Sequence, residues 1–248
     1  MNLLLLDDAE VTGSRILLTG RRAEHLSRVL GVCPGDSVRA GIVRKGLIDA
    51  RIEATGSDGI TLRLGAVQAT VPPSTHVVLA LPRPKVLSRS VTTVASFCVK
   101  SLTLINSWRV EKSYFSSKKL HPVRLAEDAL LGAKQGGHVW PPEIRIVDSF
   151  RRYVEDIAPR PGSKGAQLVL HPGSALTMAQ AVQGQTQGAE CFLALGPEGG
   201  FIQSELDSWC SHGWSAVDLG TPTLRTEAAI AAALGQLALV QGSPSRRF

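Results

Sequence analysis

The chain lacks several features that would classify it at once. It has no run of eighteen apolar residues, so no helical membrane span is expected. No Gly-x-Gly-x-x-Gly follows a strand pattern, which argues against an ordinary dinucleotide site. Gly132–Gly137 has the glycine spacing of a phosphate-binding P-loop, but His138 and Val139 stand where Lys and Ser/Thr are required. No Gly-x-Ser-x-Gly elbow occurs. The cysteines Cys33, Cys98, Cys191 and Cys210 have no Cys-x-x-Cys pair among them, and each sits in an apolar or helix-like stretch. That composition fits buried thiols in a reducing cytosol better than a disulfide framework or a zinc site. The histidines, His171 included, show no ligand spacing, so no metal is expected. Leu3–Leu6 is apolar, but no basic region precedes it, and Asp7, Asp8 and Glu10 follow. It reads as a first β-strand rather than a signal peptide, and a cytoplasmic protein is expected.

What is present is a positive charge of uneven distribution. The 248 residues carry a formal net charge of +6. Residues 1–74 hold 9 Lys+Arg against 8 Asp+Glu (+1), residues 75–145 hold 11 against 4 (+7), and residues 146–248 hold 7 against 9 (−2). A polyanion such as RNA would be drawn to the middle third, because neutralised phosphates release counterions. Charge alone fits a merely solvated basic surface equally well.

Turn residues divide residues 1–70 into short strands at Arg15–Leu18, Ser37–Ala40, Ile48–Ala54 and Ile60–Leu64. Ala23, Leu26, Val29 and Leu30 share one face of a helix that ends near Gly31. A small β-barrel would close so many strands. Val71-Pro72-Pro73-Ser74 marks a boundary, since paired prolines fit neither a central strand nor a helix interior. Domains are therefore expected at 1–72 and 73–248. Beyond the boundary, strand and helix patterns alternate. Strands are expected at Thr75–Leu81, Leu102–Ile105, Glu143–Val147, Gln167–Leu170, Cys191–Leu195 and Ala216–Leu219. Helices are expected from Leu87 to Cys98 and over Val123–Ala133, Ser204–Ser211 and Glu227–Val240. This is an α/β pattern with a mostly parallel sheet. The tail Gly242–Phe248 reads as frayed.

Three Gly- or Pro-rich loops each follow a predicted strand: Leu170-His171-Pro172-Gly173, Leu195–Phe201, and Leu219–Glu227. Ligands of open α/β sheets bind outside the carboxyl ends of strands. Taken singly, each loop is an ordinary turn; together they could converge on one ligand, with glycines admitting it to the backbone.

The segment Leu195-Gly196-Pro197-Glu198-Gly199-Gly200-Phe201, with Leu219-Gly220 and Leu224-Arg225-Thr226-Glu227, resembles the signature of the RsmE family, 16S rRNA uracil-N3 methyltransferases of the SPOUT class. His171-Pro172 fits it too. Glu24-His25-Leu26-Ser27-Arg28-Val29-Leu30, followed by Pro34-Gly35-Asp36, is similar to that family's N-terminal part. The resemblance implies a small PUA-like β-barrel that holds RNA and a C-terminal α/β domain with a deep trefoil knot within about 168–240. It also implies S-adenosylmethionine as cofactor, the small ribosomal subunit as partner, and a homodimer. Ala228–Val240, apolar on nearly every face, suits a helix buried between the core and a partner. The family's Glu-Gln-x-x-Arg-like segment reads Lys134-Gln135-Gly136-Gly137-His138 here, its Glu-Leu-Gly stretch reads Ser96-Phe97-Cys98, and its helix-capping Ser is Ile202.

The same resemblance implies roles for individual residues. Leu170, His171, Pro172, Leu195, Gly196, Pro197, Glu198, Gly199, Gly200, Leu219, Gly220, Leu224, Arg225 and Thr226 would surround the cofactor, with Gly199 and Gly200 leaving room for it. Methylating uracil N3 requires loss of its proton. Arg225 would stabilise the developing anion, or alternatively bind phosphate. Glu198 or Glu227 would accept the proton or orient Arg225, although Glu227 also suits the first turn of a helix. RNA contacts are expected from Arg21, Arg22, His25 and Arg28 in the first domain, and from Arg83, Lys85, Arg89, Arg109 and Lys112 in the basic segment. Two other functions fit the same pattern: a SPOUT methyltransferase acting on another RNA, and a non-catalytic RNA-binding or ribosome-assembly protein that keeps the cofactor pocket.

Overall fold

The computed structural model describes residues 3–159, 165–186, 188–220 and 222–241. Thr221 of the third loop and the tail 242–248 lie outside the described residues. The chain forms two compact units.

The first unit is a six-stranded sheet. Its strands are β1 (Leu4–Leu6), β2 (Arg15–Leu18), β3 (Ser37–Ile42), β4 (Gly46–Gly56), β5 (Gly59–Leu64) and β6 (Gln68–Ala69). They pair in the order β1-β3-β4-β5-β2, with β6 on β4. Only the β1–β3 pairing is parallel. Alternation sets the inner face: Val38, Ala40 and Ile42 on β3, Ile48, Ala50 and Ile52 on β4, and Ile60, Leu62 and Leu64 on β5 are all buried. Each of the valine, leucine and isoleucine side chains contributes about 1.5–3 kcal/mol of transfer energy. The helix α1 (Gly20–Glu24) continues as a π turn over His25–Val29 and buries Ala23 and Leu26. The first unit also takes in residues 134–141, which come from beyond the proline boundary. The Lys134 carbonyl accepts the Leu3 N–H at 3.3 Å, the Val139 carbonyl accepts the Arg44 N–H at 2.8 Å, and Trp140 Nε1 donates to Thr70 Oγ1 at 2.9 Å. No local pattern marks this return, because its partners lie far away in sequence.

The second unit is built on a seven-stranded, wholly parallel sheet. Its strands are β7 (Thr75–Ala80), β8 (Ser101–Ile105), β9 (Glu143–Val147), β10 (Ala166–Leu170), β11 (Leu176–Thr177), β12 (Cys191–Leu195) and β13 (Ser215–Asp218). They run in the order β11-β13-β10-β12-β7-β8-β9. The central strands are buried on both faces, as near-continuous apolar runs such as Val77–Leu81 demand. Helices α2 (Pro84–Ser96), α3 (Pro122–Gly136), α4 (Phe150–Arg152), α5 (Met178–Ala181), α6 (Gln203–Ser211) and α7 (Thr226–Gln241) connect them. No helix among the described residues is long and apolar enough to cross a membrane.

Two details depart from the sequence reading and one extends it. The helix expected to reach Cys98 stops at Ser96, and Cys98 has φ +57. Of the two glycines with P-loop spacing, Gly132 lies inside α3 and Gly137 just past its end with φ +70; a Cβ on Gly132 would come within 2.5 Å of Ala95 Cβ, so that glycine lets α3 lie against α2. The cysteines are free, but only Cys191 is buried; Cys33 and Cys210 are exposed. Cys33 lies in the loop after the π turn, and Cys210 directly follows the buried Trp209 on α6, so its side chain faces outward.

Candidate functional site

Strands β13, β10 and β12 are adjacent and parallel, so the loops that follow them leave one edge of the sheet together. These are the three loops expected from sequence.

The first loop leaves β10. The His171 N–H donates to the Val217 carbonyl at 3.0 Å, and Ser174 Oγ donates to the His171 carbonyl at 2.8 Å. Asp218, at the end of β13, joins this loop to the third. Its carboxylate accepts the Gly220 N–H at 2.5 Å and also the Gly173 N–H. Those two donors hold the Asp218 carboxyl below the usual aspartate range. Sequence reasoning missed Asp218, although an Asp two residues before a turn glycine is a known local hydrogen-bonding pattern.

The second loop follows β12. It closes with the Gly200 N–H donating to the Pro197 carbonyl at 2.8 Å. A Cβ on Gly196 would come within 2.9 Å of the Phe201 nitrogen and 3.1 Å of Gly200 Cα, so the turn requires glycine there. Gly200 has φ +73. Phe201 anchors the far end, packing its ring 6.1 Å from Phe150 and 5.8 Å from Trp209. At Gly199 the expected reason for glycine changes. A Cβ would meet Arg109 Cδ at 2.9 Å, because the Arg109 guanidinium donates to the Gly199 carbonyl.

In the third loop, Gln236 Nε2 of α7 donates to the Leu219 carbonyl at 2.8 Å. This tie was also unforeseen, because nothing local distinguishes one glutamine on an apolar helix. Thr226 is buried where α7 begins, and the Arg225 carbonyl accepts the Ala229 N–H at 2.8 Å. The Arg225 side chain is exposed and makes no ion pair among the described residues.

Both candidate carboxylates face the basic segment. Glu198 Oε1 accepts the Arg83 backbone N–H at 3.2 Å and lies 4.0 Å from Arg83 Nε. Glu227 pairs with Arg89 at 3.2 Å. Arg83, Arg89 and Arg109 thus stand beside the loops, while Lys85 and Lys112 are exposed. In the first unit, Arg21, His25 and Arg28 are exposed on the side of α1 and its π turn away from buried Ala23 and Leu26. Arg22 is committed elsewhere: Glu10 holds it through both guanidinium nitrogens.

Ile202 precedes α6 and supplies no side-chain acceptor. The helix solves this from within. Glu205 Oε2 accepts the Ile202 N–H at 3.0 Å, and Glu205 Oε1 accepts the Trp108 N–H at 2.8 Å.

An edge of this kind suits a flat polar ligand. The loops offer backbone groups beside Leu170, Leu195, Leu219 and Leu224, and a Cβ built on Gly173, Gly200 or Gly220 meets nothing within 4 Å. That open space against bare backbone fits an adenosyl group.

Residues 70–238 match the RNA methyltransferase domain family, and the chain belongs to that family. It is 29% identical over 240 residues to the ribosomal RNA small subunit methyltransferase E of Treponema pallidum, covering 94% of this chain and 89% of that protein. The enzyme of the same name from Mycobacterium bovis is 27% identical over 250 residues, covering 96% and 91%. A solved ribosomal RNA small subunit methyltransferase E from Neisseria gonorrhoeae, bound to S-adenosyl methionine, has a TM-score of 0.78 at 19% identity, over 97% of this chain and 98% of that one. A probable rRNA-methyltransferase from Porphyromonas gingivalis has a TM-score of 0.73 at 22% identity, over 97% and 98%. These likenesses show a shared fold across both units.

Proposed function

We propose that this protein transfers the methyl group of S-adenosylmethionine to N3 of a uracil in 16S rRNA of the small ribosomal subunit. The observation that carries the reading is the common edge of β13, β10 and β12, where three loops expose open glycine backbone beside arginines of the basic segment. Relatives named as ribosomal RNA small subunit methyltransferases align over almost the whole chain, which supports rRNA as substrate.

In this reading Leu170, His171, Pro172, Leu195, Gly196, Pro197, Gly199, Gly200, Leu219, Gly220, Leu224 and Thr226 surround the adenosyl group. The bound cofactor supplies an electrophilic methyl on a sulfonium. The protein must make uracil N3 nucleophilic. The Arg225 guanidinium, exposed and without an ion pair among the described residues, stabilises the negative charge that spreads over the uracil carbonyls as the N3 proton leaves. Glu198 or Glu227 takes that proton. Arg83 and Arg89 orient the two carboxylates, and Arg109 fixes the carbonyl of Gly199. Arg21, His25 and Arg28, with Lys85 and Lys112, contact phosphates.

The first unit acts as a PUA-like RNA-holding barrel, and the second carries a trefoil knot within about 168–240. The protein works in the cytoplasm as a homodimer. The end of α7 exposes Leu239 at 82% and the adjacent Val240 at 39%, apolar surface that a second copy would cover.

The test is transfer of labelled methyl from S-adenosylmethionine to small subunits isolated from cells lacking the protein. Label in N3-methyluridine of 16S rRNA is expected; its absence contradicts the reading. One observation favours a different RNA target. The segment Lys134–His138, which departs from the family pattern, packs in the first unit, the part that would hold RNA. Label in another RNA would identify that case.

A further inference from the structure

Trp108 is the exposed tryptophan of the chain, at 80% of its full surface, whereas Trp209 and Trp214 are buried. An exposed apolar side chain is ordinary by itself. This one is held by an unusual anchor. Its backbone N–H donates to Glu205 at 2.8 Å, and Glu205 is only 6% exposed. The other Glu205 oxygen takes the Ile202 N–H, and Glu205 forms no ion pair among the described residues. Burying a carboxylate is costly, and two charge-assisted hydrogen bonds to backbone offset it. The fold thus commits a buried charge to fixing the loop that presents an indole to solvent.

The indole borders a cleft of about 590 Å³. Asn106 and Ser107, which follow β8, and Asp148, which follows β9, line it together with Trp108, Lys112 and Arg151. Asn106 Oδ1 and Ser107 Oγ are buried without hydrogen-bond partners among the described residues. An aromatic face, Lys112, an Arg151 that also pairs with Glu155 at 2.9 Å, and polar groups make a site for one unpaired nucleotide: the ring stacks on the base and the lysine, with the arginine beside it, meets phosphate.

The cleft adjoins the end of the second loop through Ile202, Ser204 and Glu205 and is otherwise lined by residues that follow β8 and β9. Strand β8 itself lies two strands from β12 across β7, or about 10 Å at the usual strand spacing. The next residue, Arg109, reaches back to the Gly199 carbonyl, so the two sites share one loop.

We infer that Trp108 is a stacking platform for an unpaired nucleobase of the RNA other than the methylated uracil, with Lys112 and Arg151 on its phosphate. This rests on the RNA methyltransferase reading above.

The experiment compares wild type, Trp108→Ala and Trp108→Phe as full-length proteins. It measures kcat and KM for small subunits, the Kd for S-adenosylmethionine, and quenching of tryptophan fluorescence by oligouridylate. Trp108→Ala is expected to raise KM for subunits about 5- to 150-fold, the usual range for losing one stacked base. Trp108→Phe should stay within about threefold of wild type, because a phenyl ring still stacks. The cofactor Kd should not change. Quenching should appear in wild type and vanish in Trp108→Ala. An unchanged KM in Trp108→Ala overturns the inference. Equal loss in Trp108→Phe also overturns it, pointing to an indole-specific protein contact. If wild type itself methylates no subunit, the functional reading falls, and that failure is visible without any variant.

Discussion

Asp218 Oδ1 accepts the backbone N–H of Gly220 at 2.5 Å, and the same carboxylate holds the N–H of Gly173. One side chain therefore fixes two of the three loops at the proposed cofactor edge. Asp218→Ala should weaken S-adenosylmethionine several-fold while leaving the melting temperature close to wild type, since the group is exposed to solvent. Isothermal titration calorimetry checks this, and an unchanged Kd contradicts it. The two donors lower the Asp218 pKa in the folded state. The tie is thus complete above the usual aspartate value of about 3.9 and is lost as pH falls through the lower folded value. Its contribution to cofactor affinity should be flat from roughly pH 5 to 9.

Gly196 and Gly200 make a graded pair. Gly196→Ala forces a Cβ to 2.9 Å from the Phe201 nitrogen, and backbone cannot swing aside as a side chain can. Loss of cofactor binding with cooperative unfolding retained is expected. Gly200→Ala meets nothing within 4 Å and suffers only from φ +73, a cost of about 1–2 kcal/mol. Thermal unfolding should register a small drop, and cofactor affinity should fall less than in Gly196→Ala. Equal affinities in the two variants would contradict this account of the loop.

Arg225 is exposed and has no ion pair among the described residues, while Glu198 and Glu227 already face Arg83 and Arg89. Arg225→Ala should lower kcat about 100- to 1000-fold, the scale for losing one donor to a developing anion, with cofactor Kd unchanged. An unchanged kcat with a raised KM for the RNA would make Arg225 a phosphate contact instead.

Burial pushes the Cys191 thiol up to about 12, so it carries almost no thiolate at neutral pH. Cys33 and Cys210 are exposed. Iodoacetamide on the native protein should alkylate Cys33 and Cys210 and spare Cys191 until unfolding. Labelling of native Cys191 would contradict the buried β12.

The edge that carries the three loops was legible because its signals are local. Glycine and proline punctuate the chain at Leu170–Gly173 and Leu195–Phe201, and apolar runs place the strands before them. Glu143–Val147 and Cys191–Leu195 fall on the expected residues. Illegible were the ties made across the sequence. Asp218 reaches Gly173 over 45 residues, Arg109 reaches Gly199 over 90, and Glu205 reaches Trp108 over 97. The return of 134–141 to the first unit and the short β11 escaped for the same reason: two or three residues with distant partners leave no periodic trace. Cysteine burial was misread at Cys33 and Cys210, since thiols are commonly buried as a class but no individual side chain must be.

The most direct measurement is mass spectrometry of 16S rRNA from a strain deleted for this chain, with complementation by wild type and by Gly196→Ala. The account predicts that one N3-methyluridine disappears in the deletion, returns with wild type and stays absent with Gly196→Ala. Unchanged N3-methylation of 16S rRNA in the deletion strain would contradict it.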